Sequence, residues 1–187
     1  IVNIRSIKTH RITDKDRNLF AILDKYVPKL AENSVLAVTS KIVSITEGRI
    51  VPIGKIDKDT LIEQEAEYSL PRSLSKYDVR FTITNNILAA AAGIDESNGG
   101  GYYILWPKDP QKSVNMIRLH LVSRFHLNKV GVIITDSKAT PLRWGVTGLA
   151  LSHSGFKALN NYIGKPDLFG RKFEYEKVNV MDGLAAA

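Results

Sequence analysis

Apolar positions along this chain switch between a helical and a strand-like rhythm, and the changeovers mark out a mixed architecture. Leu19, Leu23, Tyr26 or Val27, and Leu30 share one stripe, which predicts an amphipathic helix over residues 14–31 with Thr13 or Asp14 as its cap. Ser34–Thr39 is a short β-prone run, followed by Ser40, Lys41, Ile42, Val43 and Ser44 and then a Glu47-Gly48-Arg49 turn. Residues 60–68 predict a short charged helix broken by Pro71, and residues 79–84 and 87–92 two strands around an Asn85-Asn86 turn. Asp109 and Pro110 open a helix with Val114, Ile117, Leu121 and Phe125 on its buried stripe. The unbroken apolar run 130–135 reads as a buried strand that ends by delivering Asp136 to the edge of a sheet. Residues 145–150 alternate small and apolar side chains, 162–171 form a loop of turn formers, and 173–181 resume a strand pattern. Residues 182–187 read as a helix just begun, so the natural chain is expected to continue past them.

With 187 residues and 44% apolar content, a single α+β domain over residues 1–187, with mixed and antiparallel sheets flanked by helices, is the expected architecture. Cysteine is absent, which excludes disulfides, thiolate metal sites and thiol catalysis, and permits a reducing compartment. No apolar stretch nears the roughly 18 residues of a membrane span, and residues 1–10 lack the apolar region of a signal peptide, so a cytoplasmic protein without membrane partners is expected. Twenty-six basic residues against 19 acidic ones suit a polyanionic partner. Those charges are spread, with no dense basic run and no nucleic-acid-binding motif, which favours a phosphorylated small molecule over nucleic acid.

The candidate chemistry centres on Asp95, in a loop flanked by Gly93 and by Gly99, Gly100 and Gly101. A carboxylate there suits an oxygen-liganded cation such as Mg²⁺, or orders its own turn through Asx hydrogen bonds. Asp136 and Ser137, after their apolar strand, carry the same two readings, and the two carboxylates can share one cation. Ser40, Lys41 and Ser44 offer hydroxyl and ammonium donors to a phosphate, or form solvated surface. Arg143 beside Trp144 either clamps an anionic substrate group or stacks on the indole. The four histidines lie at spacings unsuited to a two-histidine zinc helix, and no nucleophile-elbow pattern is present. What remains is positioning and electrostatics around a metal and a phosphate.

These segments, in their order, resemble the GTP-dependent gamma-glutamyl ligases that extend the side chain of the deazaflavin coenzyme F-420. The likeness rests on Thr39–Ser44 with Glu47-Gly48-Arg49, on Ala92-Gly93-Ile94-Asp95 with Ser97 and Asn98, on Asp136-Ser137 with Pro141 and Arg143-Trp144-Gly145, and on Tyr162, Gly164 and 167–171. The strings 94–98, 100–107 and 153–156 look most similar to a bacterial branch labelled folate-metabolism gamma-glutamate ligase.

The resemblance implies an intertwined homodimer with nucleotide and metals in a groove near the subunit interface. It implies Asp95 and Asp136 as carboxylates on one divalent metal, Mg²⁺ or Mn²⁺, Ser137 as a hydroxyl ligand to a second, and Ser40, Lys41 and Asn98 as nucleotide contacts. GTP is the implied co-substrate, glutamate and an acceptor acid of deazaflavin or folate type the other substrates, and an acyl phosphate the intermediate. Ile45 stands where the family commonly has lysine, Val146 and Gly148 replace polar residues, and the chain stops before the family's C-terminal glycine-rich loop. Those departures leave a non-catalytic nucleotide- or deazaflavin-binding protein as the alternative.

Overall fold

The computed structural model describes residues 3–140 and 142–187, so Pro141 lies outside the described residues. The first half contains α1 (Leu19–Tyr26), β1 (Ser34–Thr39), α2 (Ser40–Glu47), β2 (Ile50–Pro52), α3 (Lys58–Glu65), β3 (Tyr68–Ser69), β4 (Phe81–Thr84) and β5 (Ile87–Ala90). The second contains β6 (Tyr102–Ile104), α4 (Pro110–Phe125), β7 (Val130–Ala139), β8 (Val146–Ser154), β9 (Leu159–Asn161), β10 (Lys177–Asn179) and α5 (Val180–Ala186). The fold is therefore mixed α+β, as expected.

The central sheet has the order β1-β7-β8, with β1 parallel to β7 and β8 antiparallel to it. Val132 and Ile134 of β7 pack with Leu23 and Val27 of the α1 region and with Val114, Ile117 and Leu121 of α4. Ile117, Leu121 and Val114 are fully buried, and burying each such side chain contributes about 1.5–3 kcal/mol. A second cluster, Leu61, Ile62, Ala92, Ile94, Tyr103 and Leu105, lies under α3 and supports the segment that leads into Asp95.

The predicted α4 is borne out, with Asp109 accepting from the Lys112 amide at 2.8 Å. So is the β4–β5 hairpin, whose Asn85 and Asn86 both take positive φ, the turn chemistry a two-residue hairpin needs. Several expectations are corrected, among them the short charged helix, which spans Lys58–Glu65 and leaves Tyr68 to β3, and the second hairpin strand, which ends at Ala90. The first helix begins only at Leu19, because the Asn18 side chain accepts from Ala21 and takes the cap, while Thr13 and Asp16 close an earlier turn on each other. Residues 40–47 form a helix despite the β-branched Ile42, Val43, Ile45 and Thr46, because Val43 and Ile45 are buried and Gly48, at φ 75°, ends it. β7 runs past Asp136 to Ala139, since β8 pairs with it as far as Ala139↔Val146. Of residues 173–181, only Lys177–Asn179 find a strand partner, in β9.

Candidate functional site

Thr39 of β1 and Thr135 of β7 are the last partners of the parallel pair. Ser40, which leaves β1, and Asp136, which β7 carries three residues before its own end at Ala139, therefore lie side by side at the carboxyl end of the parallel pairing, the position at which open α/β sheets bind ligands. The β7–β8 ladder shifts register between Ile134 and Thr135, pairing Ser152 and then Ala150 and leaving Leu151 unmatched. The extra residue lies on β8, so it is β8 that bends, opposite the step of β7 just before Asp136. Ser40 opens α2, and Thr39 at its cap makes no side-chain bond, so the first-turn amides keep their pull on an anion.

Lys41, in that first turn, reaches across 54 positions of sequence to Asp95, with Nζ donating to Oδ2 at 2.7 Å. The same ammonium donates to the Ser97 carbonyl at 2.9 Å, and the Ser97 amide donates to Asp95 Oδ1 at 2.7 Å. Burial pushes the Asp95 carboxyl up, but the Lys41 ammonium and the hydroxyl and amide of Ser97 outweigh it and hold the group below the usual carboxylate range. Asp95 thus orders its own turn through Oδ1 on the Ser97 amide, while its Oδ2 is taken by the Lys41 ammonium.

The turn before Asp95 is strained. Ala91, Ala92 and Gly93 take φ of 50°, 54° and 73° in succession, a left-handed turn that costs non-glycine residues about 1–2 kcal/mol each. The buried Thr82 hydroxyl holds it, accepting from the Ala92 amide and donating to the Ala89 carbonyl, both at 2.9 Å. Past the loop, Asp95 and Ile104 exchange backbone hydrogen bonds of 2.9 and 2.7 Å.

Two residues further on, the buried Trp106 donates its Nε1–H to Asp136 Oδ2, and Asp136 Oδ1 accepts from the Ser137 amide at 2.8 Å. A Cβ on Gly93 would lie 2.1 Å from the Trp106 ring, so only glycine permits this approach. Arg49 fixes the segment from the other side, donating Nε to the Trp106 carbonyl at 3.0 Å and pairing with Glu65. Residues 104–106 therefore tie the Asp95 loop to the Asp136 strand.

Lys41, Asp95 and Ser97 are in direct contact, whereas Asp136 bonds to Trp106, whose ring closes on Gly93, two residues before Asp95. Asn98 is exposed on the same loop at φ 56°. Ser44 is corrected: it is fully buried and its hydroxyl has no partner, so it presents nothing to a phosphate in solvent. Arg143 sits apart, exposed at the tip of the β7–β8 hairpin, where the Trp144 ring meets Tyr77 at 6.4 Å. Trp106 and Thr82 are not singled out by the sequence, and Arg49 stands there only as part of the Glu47-Gly48-Arg49 turn. The signal for Trp106 was the need of a buried indole N–H for an acceptor.

A family model described as F420-0:Gamma-glutamyl ligase matches residues 6–187. The chain belongs to that family. Similar members include the coenzyme F420:L-glutamate ligase of Methanopyrus kandleri, 34% identical over 85% of this chain and 69% of the relative. That of Methanococcus maripaludis strain C6 is 30% identical over 92% of this chain and 75% of its own length, and that of Methanocaldococcus jannaschii 29% over 90% and 73%.

For a gamma-glutamyl ligase family member, Asp95 and Asp136 are hard-oxygen carboxylates of the type that Mg²⁺ or Mn²⁺ takes, whereas Asp136 and Ser137 are successive residues of β7, whose side chains leave opposite faces of the sheet. Among the described residues no three Asp, Glu or His side chains are grouped to hold a metal. That sparse set fits a cation whose remaining positions are filled by water and substrate phosphates. No described helix is long and apolar enough to cross a membrane.

Proposed function

We propose that this chain is a metal-dependent, GTP-driven gamma-glutamyl ligase that joins L-glutamate to the carboxylate of a deazaflavin- or folate-type acceptor through an acyl phosphate. The observation that carries this reading is the convergence of the α2 N-terminus, the Asp95 loop and the Asp136 strand at the carboxyl end of β1 and β7, in a chain of this family. The names of the relatives support glutamate as the amine donor and a deazaflavin as the acceptor.

Asp95 and Asp136 would hold one Mg²⁺ or Mn²⁺ and the Ser137 hydroxyl would serve a second; when bound, the metal neutralises phosphate charge as it develops. The first amides of α2 and Lys41 receive the triphosphate, Ser40, buried at 4% exposure, serves through its backbone, and Asn98 borders it. The acceptor carboxylate attacks the γ-phosphorus, the bond to the β,γ-bridging oxygen breaks, and GDP leaves an acyl phosphate. The amine nitrogen of glutamate then adds to the acyl carbon, phosphate departs with the C–O bond, and the nitrogen loses its proton. The protein's part is to hold three anionic substrates in line and screen their repulsion, which the excess of basic residues favours.

A homodimer in the cytoplasm completes the proposal, and the nearly full exposure of Leu142, Trp144, Leu168 and Phe169 supports a partner surface. A second reading, a nucleotide- or deazaflavin-binding protein without turnover, draws on Ile45, buried where the resemblance leads one to expect a lysine. Incubation with GTP, Mg²⁺ or Mn²⁺, glutamate and an acceptor panel separates the two. A ligase releases phosphate only when acceptor is present, and Asp136→Asn lowers that release by orders of magnitude; ligand binding with no turnover on any acceptor favours the binder.

A further inference from the structure

Every donor of the Lys41 ammonium is engaged: Asp95 Oδ2 at 2.7 Å, the Ser97 carbonyl at 2.9 Å and the Ser97 hydroxyl at 3.4 Å. An ammonium has three such donors, so in this arrangement Lys41 has none left for a phosphate. Each oxygen of Asp95 already has one donor, Oδ1 the Ser97 amide at 2.7 Å and Oδ2 the Lys41 ammonium. A divalent cation on Oδ2 and an ammonium in contact with the same oxygen repel strongly. The two roles assigned to this pair therefore require it to open.

We propose that Lys41 is the resting counter-cation of Asp95, and that metal binding at Asp95 and phosphate binding by Lys41 are a single exchange in which each ligand strengthens the other. The proposal rests on the reading of Asp95 as a metal ligand.

Three features make the exchange workable. The pair is partly exposed, with side-chain exposures of 26% for Lys41 and 44% for Asp95, and ion pairs of that kind contribute little net stability, so opening costs little. The carboxylate keeps its place when Lys41 leaves, because the Ser97 amide and the backbone bonds with Ile104 hold it, and Lys58 tethers the neighbouring Glu96 at 3.3 Å. The released ammonium remains in the first turn of α2, beside amides that no side chain caps, where an anion is favoured. Reciprocity of the two affinities is then required by linkage.

The test measures binding, in the intact protein, of wild type, Lys41→Met, Lys41→Gln and Asp95→Asn, each checked for folding by thermal melt. Mn²⁺ alone is titrated by the loss of its free-ion electron paramagnetic resonance signal. A fluorescent GTP analogue is titrated separately in chelator, without metal. The exchange predicts that Lys41→Met and Lys41→Gln bind Mn²⁺ at least about fivefold more tightly than wild type. It also predicts that Asp95→Asn gains metal-free nucleotide affinity by a similar factor, a gain that Lys41→Met removes. Unchanged or weaker Mn²⁺ binding in both lysine variants, with binding still abolished by Asp95→Asn, overturns the exchange and leaves the metal reading standing. Mn²⁺ binding indifferent to Asp95→Asn overturns both.

Discussion

Trp106 donates its indole N–H to the Asp136 carboxylate while its ring closes on Gly93, two residues before Asp95. One buried side chain thus orients one candidate carboxylate and braces the loop that carries the other.

Trp106→Phe keeps most of the ring and deletes the donor. Losing one hydrogen bond to a carboxylate is expected to cost about 1–3 kcal/mol of stability, and groups that orient a ligating carboxylate typically contribute about 10–100-fold to metal affinity or activity. Acceptor-dependent phosphate release should fall by that factor in a protein that still melts cooperatively. Wild-type rates in the variant would remove Trp106 from the site.

Thr82→Val is nearly isosteric but strands the Ala92 amide, which is buried against it. An unpaired buried donor costs about 1–3 kcal/mol, which for a chain of this size lowers the melting temperature by about 3–9 °C. The left-handed turn at residues 91–93 should loosen first, seen as faster amide exchange there than in β7.

Gly148→Ala tests a close approach. A Cβ at that position would lie 2.1 Å from the Ala185 carbonyl oxygen, so α5 must lift from β8. Overpacking of this kind costs about 1–3 kcal/mol. The residues of α5 should become more susceptible to limited proteolysis while the β1-β7-β8 core melts little changed.

The pH dependence should lie on the acid side. The forked hydrogen bonds from Arg72 hold the Asp59 carboxyl below its usual range, backbone amides of Asn128 and Lys129 do the same for Glu32, and the Thr13 amide does so for Asp16. Such groups bind fewer protons folded than unfolded. The stability they contribute is fully present above about pH 4–5, the unfolded titration range, and is lost as pH falls through the lower folded values. Melting temperature should therefore be flat in these groups from about pH 6 to 8 and fall only below about pH 4–5. Asp59→Asn should flatten the acid limb by a few degrees, and an unaltered limb would contradict the assignment.

Much of this was legible from local pattern. β1, the β4–β5 hairpin and α4 follow from their apolar spacing, from Asn85-Asn86 and from the Asp109-Pro110 start. The helix at residues 40–47 was not, because four β-branched residues argue for a strand and only tertiary burial of Val43 and Ile45 overrides them. The site followed the same division. Asp95, Lys41 and Asp136 stand out by residue type and neighbours, whereas the roles of Trp106 and Thr82 exist only across contacts 30 and 10 residues apart in the chain.

The chain's two tryptophans differ sharply in setting, Trp106 at 5% exposure beside Asp136 and Trp144 at 94% on a hairpin tip. Intrinsic emission should therefore split into a blue component from the interior and a red one from solvent, and Trp144→Phe would leave the blue one alone. The protein carries its own optical probe of the Asp136 carboxylate, readable without labels, substrate or turnover.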